Sequence, residues 1–251
     1  MIITKGEFLK TKEVVNYITF LVDAFQTKFK LKDEINKYNW PDNSKGLNFE
    51  KTYTKIKELR DGLANALSDK DSAATLELCE DILKWGGVGV ATKNINKLKK
   101  LVEEKKFLTT LLTAREVIQS DSTEKNAFPV PCNSGFSKIY TCLYGKFIIY
   151  DSRVAASMCF MASKCFENEN PIQLGKAAYQ AKVNRNPGKA FPMLTGNDKK
   201  YLESNIKASW IVEEMANQYN PHNFPTEKLI FAYQTAFFVL GKDLGELEKR
   251  F

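Results

Sequence analysis

Apolar residues recur at the spacing of an α-helix through most of the chain, and this periodicity is the feature that most restricts the fold. The clearest stripe consists of Val14, Tyr17, Ile18, Leu21, Ala24 and Phe25. Strand-like alternation is nearly absent, and only Val130 and the run 147–150 have the character of short extended pieces. Hydrophobic residues make up 43% of the 251 residues, enough to fill a large core. The sequence predicts an all-α bundle of about ten helices.

Breaker-rich segments divide the chain into predicted helices. We expect a loop from Asn39 to Gly46 and a helix end at the glycines after Trp85, because consecutive glycines release the backbone from helical dihedrals. Asp71 and Asp198 are candidate caps. The predicted helices span about 50–68, 72–84, 91–119, 152–166, 198–218 and 226–240. No linker or repeat is visible, so residues 1–251 are interpreted as one unit, built either as a single bundle or as two packed helical lobes.

Charge and residue usage exclude several classes of function. The net charge of +7 favours a polyanionic partner, although a lysine-rich chain with no such partner would look the same. The five cysteines form no CxxC pair, and His222 is the only histidine, so a metal site or a histidine-based catalytic pair is not expected. No run is long and apolar enough to span a membrane, and the start lacks a signal peptide. We therefore expect a soluble, cytoplasmic protein without a membrane partner.

Residues 131–161 carry the most informative motif. A turn at 133–135 precedes a predicted amphipathic helix of about ten residues. Gly145 ends this helix, and the apolar run 147–150 leads to Asp151, which opens the next helix. An aspartate at a helix start accepts hydrogen bonds from the free amides, so capping alone would explain Asp151. A carboxylate at the end of a buried segment can also catalyse, and Asp151 is our candidate catalytic residue.

This segment resembles the helix-hairpin-helix DNA glycosylase superfamily. Residues 130–135, VPCNSG, are similar to the family's glycine-rich hairpin, and residues 149–154, IYDSRV, are similar to the motif that bears its catalytic aspartate. The resemblance covers about thirty residues and implies a helical glycosylase-like fold. Asn133 replaces the first hairpin glycine, which is tolerable because asparagine accepts positive φ.

The resemblance implies the roles of several residues. Asp151 would stabilise the developing sugar cation. Bifunctional members carry a lysine two residues after the last glycine, where this chain has Ser137, and Lys138 follows one position later. A hydrolytic, monofunctional reaction is therefore expected, with Lys138 as a second, doubtful catalytic candidate. Two cysteines follow the motif, too few for the iron–sulfur cluster of some members, and no cofactor is expected. The DNA-binding candidates are Asn133, Ser134, Gly135, Ser137, Lys138, Ser152, Arg153 and Arg185.

Four residues outside the motif are candidates for a base pocket or wedge. Trp85 beside its glycines could stack on a flipped base, or could be core at a helix end. Asn205 and Ser209 share a helix face and could line a polar pocket near Trp210, or could form an exposed polar face opposite a packed Trp210.

The sequence thus favours a DNA glycosylase that flips a damaged or modified base out of duplex DNA and hydrolyses its glycosidic bond. One candidate substrate is modified cytosine in phage DNA, which would make the protein an antiviral defence enzyme. The alternative is a non-catalytic helix-hairpin-helix DNA-binding protein in which Asp151 only caps its helix. A nuclease is a third hypothesis, but the sequence shows no convincing carboxylate cluster for metal ions. No obligate protein partner is evident.

Overall fold

A computed structural model describes residues 3–41, 46–123, 130–166, 172 and 198–251, with side chains throughout except at 88–91 and 198–200. Within these residues the protein is all-α, as predicted, and contains no strand. The described helices are α1 (Lys5–Lys10), α2 (Lys12–Thr27), α3 (Leu31–Asn36), α4 (Phe49–Ser68), α5 (Ser72–Trp85), α6 (Val88–Glu103), α7 (Phe107–Gln119), α8 (Phe136–Leu143), α9 (Ser152–Cys165), α10 (Asp198–Gln218), α11 (Thr226–Leu240) and α12 (Leu244–Glu248).

The long amphipathic helices follow the sequence pattern closely. All six residues of the predicted stripe on α2 are buried, and α11 has the predicted bounds. Asp71 caps α5 through hydrogen bonds from the amides of Ala73 and Ala74, as predicted. The helix-rich stretch predicted at 91–119 is two helices, because Lys105 adopts a left-handed φ of 57° where α6 ends. The Asp198 side chain lies outside the described residues.

The helices pack as two groups that meet through α4 and α11. In the first group, α4 and α5 lie against α8, while α6 and α7 pack at the side of α5. In the second, α11 is central and contacts α3, α9 and α10, and α10 in turn packs on α1 and α2. The motif predicted at 131–161 spans both groups, because α8 belongs to the first and α9 to the second.

Candidate active site

Asp151 stands immediately before α9 and caps it. Its Oδ1 accepts hydrogen bonds from the backbone amides of Arg153 at 3.0 Å and Val154 at 3.1 Å, which confirms the predicted cap. Among the described residues, Oδ2 has no hydrogen-bond partner. Asp151 is only partly buried. One carboxylate oxygen therefore caps the helix, and the cap does not use the other.

The apolar run before Asp151 crosses the interior, as predicted, and side chains hold its backbone. Residues 147–150 are all buried. The Ile148 amide donates to Ser209 Oγ at 3.1 Å, the Ile149 amide donates to Gln234 Oε1 at 2.7 Å, and the Tyr201 hydroxyl donates to the Tyr150 carbonyl. A buried amide without an acceptor costs about 1–3 kcal/mol, so these side chains stabilise an extended segment that no strand pairs with among the described residues.

The pocket predicted on α10 is not formed as expected. Ser209 is bound to the Ile148 amide and to the carbonyl of Asn205, and Asn205 is 0% exposed. Trp210 is 4% exposed and packs against the Phe8 ring at a centroid distance of 5.8 Å. The polar face of α10 points into the protein because it binds the extended run, so these three residues do not line an accessible base pocket. The predicted exposed polar face is therefore wrong, whereas the packed Trp210 of that same interpretation is confirmed.

Lys138 lies near Asp151, although it is one position out of register with the family motif. Its Nζ donates to the Ser134 carbonyl at 2.9 Å. Its methylene chain lies over Gly86, where a Cβ would overlap Lys138 Cδ. Burial lowers the pKa of Lys138, and the negative charge of Asp151 partly opposes this lowering. The charge of the Asp151 carboxylate, at the start of α9, therefore acts on the partly buried Lys138 of α8.

Two amides at the turn before α8 are already bound by the side chain of Asn133. Asn133 Oδ1 accepts the amides of Gly135 at 2.9 Å and Phe136 at 3.1 Å. The amide groups of Asn133 and the buried Asn94 also exchange two hydrogen bonds, at 3.0 and 3.3 Å. Asn133 does not have positive φ, contrary to the expectation from the hairpin resemblance. Because these amides already have acceptors, a phosphate grip by this turn is not supported.

Burial argues against two other predicted DNA contacts at the turn. Gly135 and Ser137 are both buried, and Ser137 Oγ donates to the Ser134 carbonyl at 3.0 Å. Neither can touch a phosphate without rearrangement. Ser134, Ser152 and Arg153 are partly buried, so they remain within reach of a ligand. Arg185 lies outside the described residues.

The glycine turn after α5 holds a tryptophan that sequence reasoning missed. Trp40 Nε1 donates to the Trp85 carbonyl at 2.9 Å. Gly87 has a φ of 127°, which favours glycine, and lies against the Trp40 ring. Trp85 itself packs against the core, as the structural alternative for it predicted. The turn at 85–87 therefore contacts two side chains of the candidate site. Trp40 binds the Trp85 carbonyl and lies against Gly87, and the methylene chain of Lys138 lies over Gly86.

An aromatic cluster centred on Phe238 lies beside Asp151. We call Tyr38, Trp40, Phe238 and Arg153 the Phe238 cluster. The Phe238 ring centroid is 5.8 Å from Tyr38 and 5.5 Å from Trp40, and the Arg153 guanidinium lies 4.6 Å from it. Burial raises the pKa of Tyr38, a hydrogen bond with Thr52 lowers it, and the Asp151 charge raises it further. Trp40 and Phe238 are both partly exposed.

Sequence signals for this cluster were weak. Tyr38 and Trp40 precede a proline in a loop. The helical spacing of the apolar residues on either side does not extend to them. Phe238 looks like one more apolar position of α11. Only the fold brings residues 38–40, 153 and 238 together.

Two further findings concern the wider chemistry. In the part of the chain that the structure describes, no group of three or more His, Cys, Asp or Glu side chains could hold a metal ion. None of the described helices is long and apolar enough to cross a membrane.

A search of protein-family models, of curated proteins and of solved structures finds no match to this chain.

Proposed function

We propose that the protein is a DNA glycosylase that hydrolyses the N-glycosidic bond of a flipped-out modified or damaged base. One observation carries this proposal. Asp151 uses Oδ1 to cap α9 while its other oxygen has no hydrogen-bond partner among the described residues, and the partly buried Lys138 lies near the same carboxylate. A carboxylate beside an aromatic cluster suits a reaction in which positive charge develops on a sugar.

Asp151 would act in its ionised form. As the base departs, the deoxyribose gains oxocarbenium character, and a carboxylate below the sugar stabilises that charge and orients a water molecule toward C1′. The water adds to C1′ and loses a proton, while the bonding electron pair leaves with the base. The product is free base and an abasic site.

The Phe238 cluster supports binding of an unstacked nucleotide. A glycosidic bond inside the duplex cannot be reached, so the target base must leave the stack. Aromatic faces such as that of the partly exposed Trp40 stabilise unstacked bases by about 1–3 kcal/mol each. Arg153, beside Phe238, adds positive charge at the same place.

Contacts to the DNA backbone would come from side chains rather than from the turn at 133–135, because the turn amides are already bonded. The net charge of +7 supports such a partner. Each phosphate neutralised by a lysine or arginine contributes about −0.9 to the slope of log binding constant against log salt concentration.

A second activity, strand cleavage at the abasic site, is favoured by the position of Lys138. Burial lowers its pKa, so a larger fraction of the amine is neutral and nucleophilic than for an ordinary lysine. Attack of this amine on the C1′ aldehyde of the ring-opened abasic sugar, with loss of the carbonyl oxygen as water, would give a Schiff base that borohydride reduces to a stable covalent adduct. Trapping by borohydride distinguishes this route from the monofunctional hydrolysis expected from the sequence.

The experiment is a scan of duplex oligonucleotides that each carry one damaged or modified base, including hydroxymethylated and glucosylated cytosine. Excision is measured as alkali-labile sites under single-turnover conditions, with Asp151→Asn as the matched control. We expect the wild-type protein to excise one class of base and the variant to be inactive. DNA binding without excision on every substrate, or equal activity of the variant, would support the non-catalytic DNA-binding protein instead.

A further inference from the structure

One face of α11 contacts the chain on both sides of Asp151. Gln234, Phe237, Phe238 and Gly241 share this face because they are spaced by three, four and seven residues. Gln234 binds the Ile149 amide two residues before Asp151. The Phe237 carbonyl accepts the Ser157 hydroxyl at 2.7 Å, and Gly241 approaches the Arg153 carbonyl so closely that a Cβ would overlap it.

The segment before Asp151 depends on side chains from two helices for its backbone hydrogen bonds. Ser209 of α10 holds the Ile148 amide at 3.1 Å and Gln234 of α11 holds the Ile149 amide at 2.7 Å. Both side chains are almost completely buried, at 4% and 6% exposure. No strand among the described residues pairs with this run to fix its register. The two acceptors, together with the Tyr201 hydroxyl on the Tyr150 carbonyl, hold its backbone instead.

We propose that Gln234 and Ser209 are positioning residues that set the place of the Asp151 carboxylate relative to Lys138. The proposal rests on the proposed function, since it concerns the carboxylate to which that function assigns the chemistry. Neither side chain contacts the substrate. Both act through the backbone of residues 148–150.

Position matters here because a group that stabilises developing charge must be within contact distance of it. A displacement of about 1 Å can reduce the rate of an enzymatic step by about 100-fold. Gln234 would take no direct part in the reaction. Its replacement should slow the chemical step rather than weaken DNA binding.

The first measurement needs no DNA. The pKa of Lys138 is followed by NMR of carbon-labelled lysine, with and without Asp151→Asn, in the wild-type background and in Gln234→Met. Methionine keeps the length of glutamine and removes the acceptor. In the wild type, Asp151→Asn removes a charge that raises the pKa of Lys138. We expect this coupling to fall by about half or more in Gln234→Met, as a double-mutant cycle reports.

The second measurement is single-turnover excision beside affinity for abasic-site DNA. We expect Gln234→Met to lower the excision rate by about 10- to 100-fold with DNA affinity within about twofold of wild type. The matched control is Tyr233→Phe, which removes a bond from the next residue of α11 to the Tyr219 carbonyl, 2.7 Å long. It should leave both the coupling and the rate unchanged.

The outcomes separate the two proposals. If Gln234→Met keeps the full Lys138–Asp151 coupling, and changes only thermal stability as Tyr233→Phe does, the positioning role is overturned whatever the protein does to DNA. If the coupling falls while the wild type excises no base at all, the positioning role stands and the glycosylase proposal fails. Should Gln234→Met lose its cooperative unfolding transition, Ser209→Ala takes its place with the same two outcomes.

Discussion

Two helices of this protein begin with the same local device and differ in what surrounds it. Before α8, Asn133 Oδ1 accepts the amides two and three residues ahead, and before α9, Asp151 Oδ1 does the same. The second amide atom of Asn133 is bound to the buried Asn94. The second oxygen of Asp151 has no such partner among the described residues, and Lys138 lies near it instead.

The difference shows that two caps with the same local geometry can have different tertiary neighbours. The Asn133 side chain is neutral, and both of its polar atoms form hydrogen bonds, including one to Asn94 of α6. The whole side chain therefore stabilises the turn. In Asp151, the cap occupies only one of the two carboxylate oxygens. The predictions below test this contrast in order of decreasing effect.

The largest effect is expected from Asp151→Asn compared with Asp151→Ala. Asparagine caps a helix about as well as aspartate, so Asp151→Asn should change the free energy of unfolding by less than about 0.5 kcal/mol while excision falls about 100- to 1,000-fold. Asp151→Ala should be equally inactive and also lose about 1 kcal/mol of stability. Urea unfolding and single-turnover excision measure the two effects. An active Asp151→Asn variant would make Asp151 a cap only, like Asn133.

Asn133→Ala should be the more costly change for stability. It removes the turn bonds and leaves the buried Asn94 amide without its partner, so we expect a loss of about 2–4 kcal/mol by urea unfolding. Asn133→Asp keeps the acceptor and serves as the control, with a smaller loss. If Asn133→Ala costs no more than Asp151→Ala, the buried amide pair is not what distinguishes the two caps.

Two glycines give a matched pair of smaller effects. A Cβ at Gly135 would overlap the Asn94 amide, and one at Gly86 would overlap the methylene chain of Lys138. Asn94 is buried and held by two hydrogen bonds with Asn133, so Gly135→Ala should cost about 1–3 kcal/mol, whereas the partly buried Lys138 can move and Gly86→Ala should cost less than about 1 kcal/mol. Thermal unfolding measures both. Gly86→Ala should also reduce any borohydride trapping. The contrast would be contradicted if Gly135→Ala lost less stability than Gly86→Ala.

The smallest effect concerns Lys138 and pH. Burial lowers its folded-state pKa below the ordinary value, so the protonated amine destabilises the fold at pH values below the folded pKa, and this penalty declines as pH rises toward 10.5. The stability of Lys138→Met relative to wild type should therefore be greatest near neutral pH and decline as the solution becomes more alkaline. Urea unfolding of both proteins between about pH 7 and pH 10 tests this. A relative stability that grows with pH would mean that the amine is held in its charged form.

Much of the helical framework could be predicted because it follows from periodicity. The stripe on α2, the bounds of α11 and the Asp71 and Asp151 caps need only residues close in sequence. The short helices α1, α3 and α12 were missed because five or six residues give too little periodicity. Ser209 was misassigned because a polar face on a helix normally meets water, and here its hydroxyl accepts the buried Ile148 amide.

The sequence by itself determined that the chain is helical, where its long helices run, and that an aspartate opens α9. Those properties depend on local dihedral preference and on the burial of one helix face. Only the tertiary structure decided that the Asp151 charge acts on Lys138 and Tyr38, and that Asn133 binds both the Gly135 and Phe136 amides and Asn94 of α6. Residues 38, 86, 138, 151 and 238 come from two helices and three connecting segments, and the energies of their interactions come from packing and desolvation that no single segment contains.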